Sequence, residues 1–229
     1  MAFALVFPGQ GSQSVGMLGD LAATFSEVQA CFAEASEVLG YDLWDVCSNG
    51  PAERLNQTEG TQPAVLTAGV AVWRVWQALG GRQPDYMAGH SLGEYSALVC
   101  AGSLAFKDAV ALVAARGRYM QEATPAGVGA MAAIIGLEDS QVVAACAAAQ
   151  SLGVVSAANY NAPGQVVIAG EQQAVASAGE AAKAAGARKV MPLAVSVPSH
   201  CLLMQPAAER LASILAKTHF EKPSLSVLH

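Results

Sequence analysis

Apolar positions fall first into a short unbroken run, then into stretches with helical spacing, and the two kinds of segment keep alternating. Residues 4–7 are continuously apolar and are stopped by Pro8-Gly9, the pattern of a strand covered on both faces that ends in a tight loop. Phe25, Val28, Phe32, Ala35 and Leu39 then recur at helical spacing. Ser26 is the expected N-cap, Gln29 its capping-box partner and Gly40 the stop. A further helix is expected over residues 61–79, with Pro63 in its first turn and Gly80-Gly81 beyond its end. Residues 86–89 predict a brief strand, and residues 92–100 and 108–120 predict two more helices. Strand and helix in alternation imply a covered parallel sheet.

The pattern then changes. A strand is expected over 130–135, an alanine-rich helix over 139–150, and strands over 154–158 and 165–169 around the turn Asn161-Ala162-Pro163-Gly164. A helix over 172–185 and a strand over 189–197 complete a β-α-β-β-α-β order, the split pattern of a ferredoxin-like unit. The expected organisation is therefore a small subdomain at residues 126–197 inserted into a large one formed by residues 1–125 and 198–229. A helix over 203–217 rejoins the large part, and residues 225–228 resemble the start of a sheet strand. A domain seldom ends inside such a strand, so the large part is expected to lack its C-terminal portion.

Composition narrows the class. A chain with 53% hydrophobic and 13% charged residues is not disordered, and no apolar run is long enough to cross a bilayer. The N-terminal apolar run lacks the basic flank and cleavage site of a signal peptide. Five widely spaced cysteines without C-x-x-C argue against a disulfide framework and a structural zinc site, so a reducing cytoplasm is expected. A net charge of −6 disfavours nucleic acid as a partner.

The chemistry centres on Gly89-His90-Ser91-Leu92-Gly93, a G-x-S-x-G run between an expected strand and an expected helix. A strained turn there lifts the serine hydroxyl above the sheet, and the following helix N-terminus offers N–H groups to an oxyanion. A serine hydroxyl needs a base. His90 is its neighbour and points elsewhere on so sharp a turn, whereas His200 lies in a strand-to-helix loop after the serine. His200 is thus either a base or a capping or core histidine. Arg116 shares a helical face with Ala109, Leu112, Val113 and Met120, while Arg118 is turned away by about 200°. A guanidinium on an apolar face calls for an anionic partner, either a structural acid or a substrate carboxylate. Gly9-Gln10-Gly11-Ser12-Gln13 lets backbone N–H groups approach a ligand, but it is not a phosphate-binding loop.

Together these residues resemble the malonyl-CoA:acyl carrier protein transacylases of bacterial fatty acid synthesis. The matching runs are Phe7 to Gln13, Thr61-Gln62-Pro63-Ala64, Gly89 to Glu94, Arg116 with Met120-Gln121-Glu122, Asn159 to Gln165, and Val195 to His200. The resemblance implies an α/β-hydrolase-like large subdomain with a parallel sheet, carrying a ferredoxin-like small one. It implies Ser91 as nucleophile, His200 as general base and the backbone amides of Gln10 and Leu92 as oxyanion hole. Arg116 would clamp the malonyl carboxylate, with Gln62 and Asn161 as further pocket residues, and the small Ser199 beside His200 fits malonyl. Malonyl-CoA and acyl carrier protein are the implied partners of a cytoplasmic monomer, with no membrane partner. No metal or redox cofactor is implied, and coenzyme A enters only as a thioester. Lys183, Arg188 and Lys189 are candidates for docking the acidic carrier. The family's later segment, which helps orient the histidine, is expected to be missing, so a catalytically impaired carrier-binding fragment is one alternative. A serine esterase or thioesterase is the other, with Asp108, Glu122, Asp139 or Glu171 as its acid.

Overall fold

The computed structural model describes residues 2–125, 127–195 and 197–229. The chain forms two compact units, Met1–Arg118 with Leu211–His229, and Tyr119–Arg210. Ala126, at the expected start of the small subdomain, and Ser196, within its expected last strand, lie outside the described residues. In chain order the elements begin with β1 (Ala4–Phe7), α1 (Gly19–Thr24), α2 (Ser26–Leu39), α3 (Leu43–Asn49), α4 (Ala52–Asn56) and α5 (Thr58–Ala78). Next come β2 (Tyr86–Gly89), α6 (Gly93–Cys100), α7 (Phe106–Ala123), β3 (Gly129–Ile135) and α8 (Asp139–Ala149). The remainder is β4 (Val155–Ala162), β5 (Gln165–Glu171), α9 (Gln172–Ala184), β6 (Lys189–Pro192), α10 (Gln205–Leu215) and β7 (Ser226–Leu228). Among the described residues no helix is long and apolar enough to cross a membrane.

The first unit is built on a parallel sheet in the order β1-β2-β7. Phe7 pairs in register with Gly89, and Met87 with Val227. Helices bring Val28, Phe32, Leu43, Leu66, Leu92 and Val113 into one core with Met87, all at most 2% exposed. At about 25 cal/mol per Å² of apolar surface removed from water, this core is the main force holding the sheet and helices together. β1 differs from the strand covered on both faces that its apolar run predicts. Phe7 is buried, but Val6 is 75% exposed. That side of the strand lines an open apolar cavity of about 310 Å³ with Val65, Val72, Trp73 and Trp76.

Helix ends also depart from expectation. Ser26 is the first residue of α2, not its cap; Phe25 holds the cap position in extended conformation, with no side-chain cap bond. Gly40 does end α2, at φ 74°. A capping box occurs instead at α8, where the Glu138 carboxylate and the Gln141 side chain satisfy each other's backbone N–H groups. α5 starts at Thr58, before the expected Thr61, so Pro63 falls in its second turn. There the missing N–H costs one bond near the helix start without ending the helix.

The second unit is an antiparallel sheet in the order β4-β5-β3-β6. Successive residues of a strand face opposite ways, and the sequence uses this. Ile134, Val166 and Ile168 pack with Val142, Cys146, Val175 and Ala178 of α8 and α9. Met131, Ala133, Val167 and Ala169 gather on the alternate positions with Leu193, Val195 and Cys201. This is the ferredoxin-like order read from the sequence. β4 continues to Ala162, so Asn161 sits in a strand and the turn shrinks to Pro163-Gly164, with Gly164 at φ 72°. β6 stops at Pro192, short of the expected residue 197; proline brings no N–H to a ladder. At the ends of this unit the Arg210 guanidinium lies 3.8 Å over the Tyr119 ring and pairs with Glu122.

Candidate active site

Ser91 stands between β2 and α6 at φ 53°. Left-handed backbone costs a residue with a Cβ about 1–2 kcal/mol, and such strain collects at functional turns. Among the described residues only Leu18, Ser91 and His200 share it without being glycine. The two glycines of the motif are required by contact. A Cβ on Gly89 would stand 1.9 Å from the carbonyl carbon of Gly93, and one on Gly93 would stand 2.1 Å from the Phe7 carbonyl oxygen. The first turn closes through Gly93 N–H to His90 O at 2.9 Å and Glu94 N–H to Ser91 O at 3.2 Å. Leu92 is fully buried and takes the cap position of α6, which places its backbone N–H in the turn beside the serine. The loop after β1 packs on the same turn, since a Cβ on Gly9 would lie 2.6 Å from the His90 carbonyl oxygen. Gln10 follows directly.

Arg116 reaches Ser91 from α7. Its Nη2 donates to Ser91 Oγ at 3.4 Å, and its Nη1 donates to Oε1 of Gln62 at 2.6 Å. The Tyr95 ring centroid lies 5.9 Å from the guanidinium carbon. These hydrogen-bond partners are neutral. Burial pushes the Arg116 pKa below the ordinary arginine value, with Tyr95 and Glu94 opposing the shift. Burial also raises the Tyr95 pKa, partly offset by Arg116. A partly buried cation with neutral partners is suited to receiving an anion. Arg118 is exposed, as its helical angle predicts.

The helices approach closely because of Gly117. A Cβ there would stand 2.7 Å from the Thr58 carbonyl oxygen and 3.1 Å from Cγ of Gln62. Gln62 itself is 1% exposed, and its Nε2 lies 3.5 Å from Oε1 of Gln10. Nε2 of Gln10 donates to Oγ1 of Thr58 at 3.2 Å. The structure thus gathers Ser91, Leu92, Gln10, Gln62 and Arg116 at one place on the first unit. Sequence reasoning missed Thr58 and the side-chain role of Gln10. Gly117, beside the arginine, was the available signal for the close crossing.

His200 and Asn161 are carried by the second unit, and both are exposed. His200 has φ 62° and follows buried Val197 and Pro198. Pro198 is packed against β3, where a Cβ on Gly129 would stand 2.4 Å from its ring. Ser199 donates its N–H to Val197 O at 3.1 Å, and Cys201 Sγ donates to Pro198 O at 3.1 Å. The acids considered for an esterase lie elsewhere. Asp108 and Asp139 are exposed in helices, Glu122 pairs with Arg210, and Glu171 accepts from Val154 N–H at 3.2 Å. Lys183, Arg188 and Lys189 are exposed, and Lys183 pairs with Glu180 at 2.7 Å. Among the described residues there is no group of three or more His, Cys, Asp or Glu placed to hold a metal ion.

A strained serine between a parallel strand and a helix, with an arginine at its hydroxyl, has the form of an acyl-transferring α/β enzyme. The family model described as acyl transferase domain matches residues 4–228. Malonyl CoA-acyl carrier protein transacylase of Escherichia coli (strain K12) is 62% identical over 227 residues, which is 99% of this chain and 74% of that protein. A crystal structure of an acyl carrier protein S-malonyltransferase from Vibrio cholerae is 61% identical, with a TM-score of 0.96 over 100% of this chain and 75% of its own. A malonyl-transacylase solved in complex with a type II PKS acyl-carrier protein is 58% identical, with a TM-score of 0.98 over 100% and 74%. The chain belongs to the acyl transferase domain family and, within it, to the malonyl CoA-acyl carrier protein transacylases.

Proposed function

We propose that this acyltransferase moves a malonyl group from malonyl-CoA to the phosphopantetheine thiol of an acyl carrier protein in fatty acid synthesis. The observation that carries the reading is Arg116 Nη2 at 3.4 Å from Ser91 Oγ. An acyl group on that oxygen brings its far end near the guanidinium. A malonyl group ends in a carboxylate that takes a two-pronged bond there, whereas an acetyl group has none.

In the first half-reaction Ser91 Oγ attacks the thioester carbon while His200 removes the hydroxyl proton. The tetrahedral oxyanion is met by the backbone N–H groups of Gln10 and Leu92. Collapse breaks the carbon–sulfur bond, and the departing coenzyme A sulfur takes the proton from His200, leaving a malonyl ester on Ser91. In the second half the carrier thiol gives its proton to His200 and attacks the ester, and Ser91 takes that proton back. Asn161 is a further pocket residue. Every step is acid–base and acyl chemistry, and none uses a metal or redox group. The reaction belongs in the cytoplasm, and the exposed Lys183, Arg188 and Lys189 are proposed to meet the acidic carrier.

Intact-mass measurement after brief mixing with malonyl-CoA tests the reading. A malonyl adduct mapped to Ser91 and lost in Ser91→Ala supports it. Release of free malonate with no thiol acceptor and no transfer identifies a hydrolase instead, and carrier binding with no adduct identifies a binding module.

A further inference from the structure

The polar groups behind Arg116 form a line with a single possible direction. Arginine only donates hydrogen bonds, so Gln62 must turn its Oε1 to Arg116 Nη1, 2.6 Å away. Only the Gln62 amide nitrogen is then left for Gln10, whose Oε1 lies 3.5 Å from it. Gln10 must in turn direct its own Nε2 to Thr58, where Oγ1 accepts at 3.2 Å. If either amide turned over, two NH₂ groups or two oxygens would face each other. Thr58 is 0% and Gln62 1% exposed, so water does not readily replace either partner.

We infer that Thr58 and the side chain of Gln10 are positioning residues, which hold the amide of Gln62 in the place and direction that Arg116 requires and so restrain the guanidinium. The inference rests on the malonyl-transfer reading of the site. The line has a second consequence. Gln10 offers its backbone N–H to the oxyanion and its side chain to the arginine's support, so one residue ties the carboxylate clamp to the oxyanion hole. Thr58 stands behind Gln10, whose side-chain amide it accepts from, and acts on the arginine through the two glutamines. Gly117 allows the arrangement, because any larger residue would force α7 away from Thr58 and Gln62.

Thr58→Val removes the acceptor and keeps the shape. Released from Thr58, the Gln10 side chain loses its second anchor and can move off Gln62, so Gln62 is held less firmly and the guanidinium is aimed less sharply. Losing one such bond is worth roughly three- to tenfold in rate or affinity. The test compares malonyl-CoA and acetyl-CoA as acyl donors to the full chain, read as the rate of acylation of Ser91 by intact mass. The malonyl-to-acetyl ratio should fall roughly three- to tenfold in Thr58→Val, mainly through a weaker apparent affinity for malonyl-CoA. Thr58→Ser, which restores the hydroxyl, should recover it. Combining Thr58→Val with Gln62→Ala should lower the ratio no further than Gln62→Ala alone, because the two act in one line.

Gln10→Met keeps the backbone N–H and removes the amide, so it gives the same fall even if Thr58→Val does not fold. An unchanged ratio in a folded Thr58→Val or in Gln10→Met overturns the inference, as does full additivity with Gln62→Ala. A wild-type chain that never acquires a malonyl group sinks the functional reading itself. A wild-type chain that is acylated, with variants that discriminate as it does, sinks only this inference.

Discussion

Arg116 donates to Gln62 at 2.6 Å, so the cation beside Ser91 is aimed by a neutral amide and keeps its charge uncancelled by that partner. The consequence is a preference that depends on the charge of the substrate. Arg116→Ala should reduce acylation by malonyl-CoA on the order of 10²-fold and by acetyl-CoA far less, since a hydrogen bond to a buried charge is lost only for malonyl. Arg116→Lys keeps the charge and loses the planar fork, and should fall between. Equal losses for both donors would remove the carboxylate-clamp role.

Gly93 is held against the Phe7 carbonyl. Gly93→Ala should therefore lower the stability of the fold by about 1–3 kcal/mol, as overpacking does, and displace Ser91 from its turn. Urea unfolding measures the first effect and the acylation rate the second. A variant as stable and as active as the wild type contradicts the contact.

The crossing of α7 over the start of α5 leads to a related prediction with a built-in control. Gly117→Ala should cost about 1–3 kcal/mol of stability and lower the malonyl-to-acetyl ratio, because the arginine moves with its helix. Arg118→Ala, one residue on and exposed, should do neither. If Gly117→Ala loses stability but discriminates normally, helix packing does not aim the arginine.

Burial pushes the thiols of Cys31 and Cys47 up to about 12 and that of Cys146 up to about 11, from 9.0. These groups hold their protons in the folded chain at pH values where the unfolded chain has released them. Their contribution is whole below pH 9.0 and is lost as pH rises through the window to about 11 and then about 12. Urea midpoints should therefore fall with rising pH above 9.0, and Cys47→Ala should flatten that fall while lowering the midpoint at neutral pH. A slope unchanged by Cys47→Ala would show that this thiol does not titrate as its burial implies.

The legible parts of the molecule are those that local periodicity governs. Residues 4–7 and 86–89 are strands with the expected ends, and the helix over 172–185 ends one residue early, because apolar runs and glycine stops act over short distances. The ferredoxin-like order followed from six such segments in sequence. Exposure of Val6 was not legible, since whether a strand is covered depends on neighbours far along the chain. Cap positions slipped because Phe25, with no capping side chain, occupies the site that Ser26 suits chemically. At the candidate site, the serine turn and the arginine face could be read from spacing. Thr58 could not, because its importance comes from two glutamine amides whose directions are set by an arginine in another helix.

The clasp of Arg210 with Tyr119 and Glu122 joins the first and last turns of the second unit. A module whose ends meet can be inserted between two parts of another unit without separating them, and it carries its own core. In a chain made from its N-terminus, residues 119–210 can complete their sheet as soon as they emerge. β2, in contrast, was synthesised more than 100 residues before β7, its second strand neighbour, and must wait for it. The order of synthesis therefore runs opposite to the order of assembly: the unit inserted between the two parts of the first can be finished while that first unit is still open.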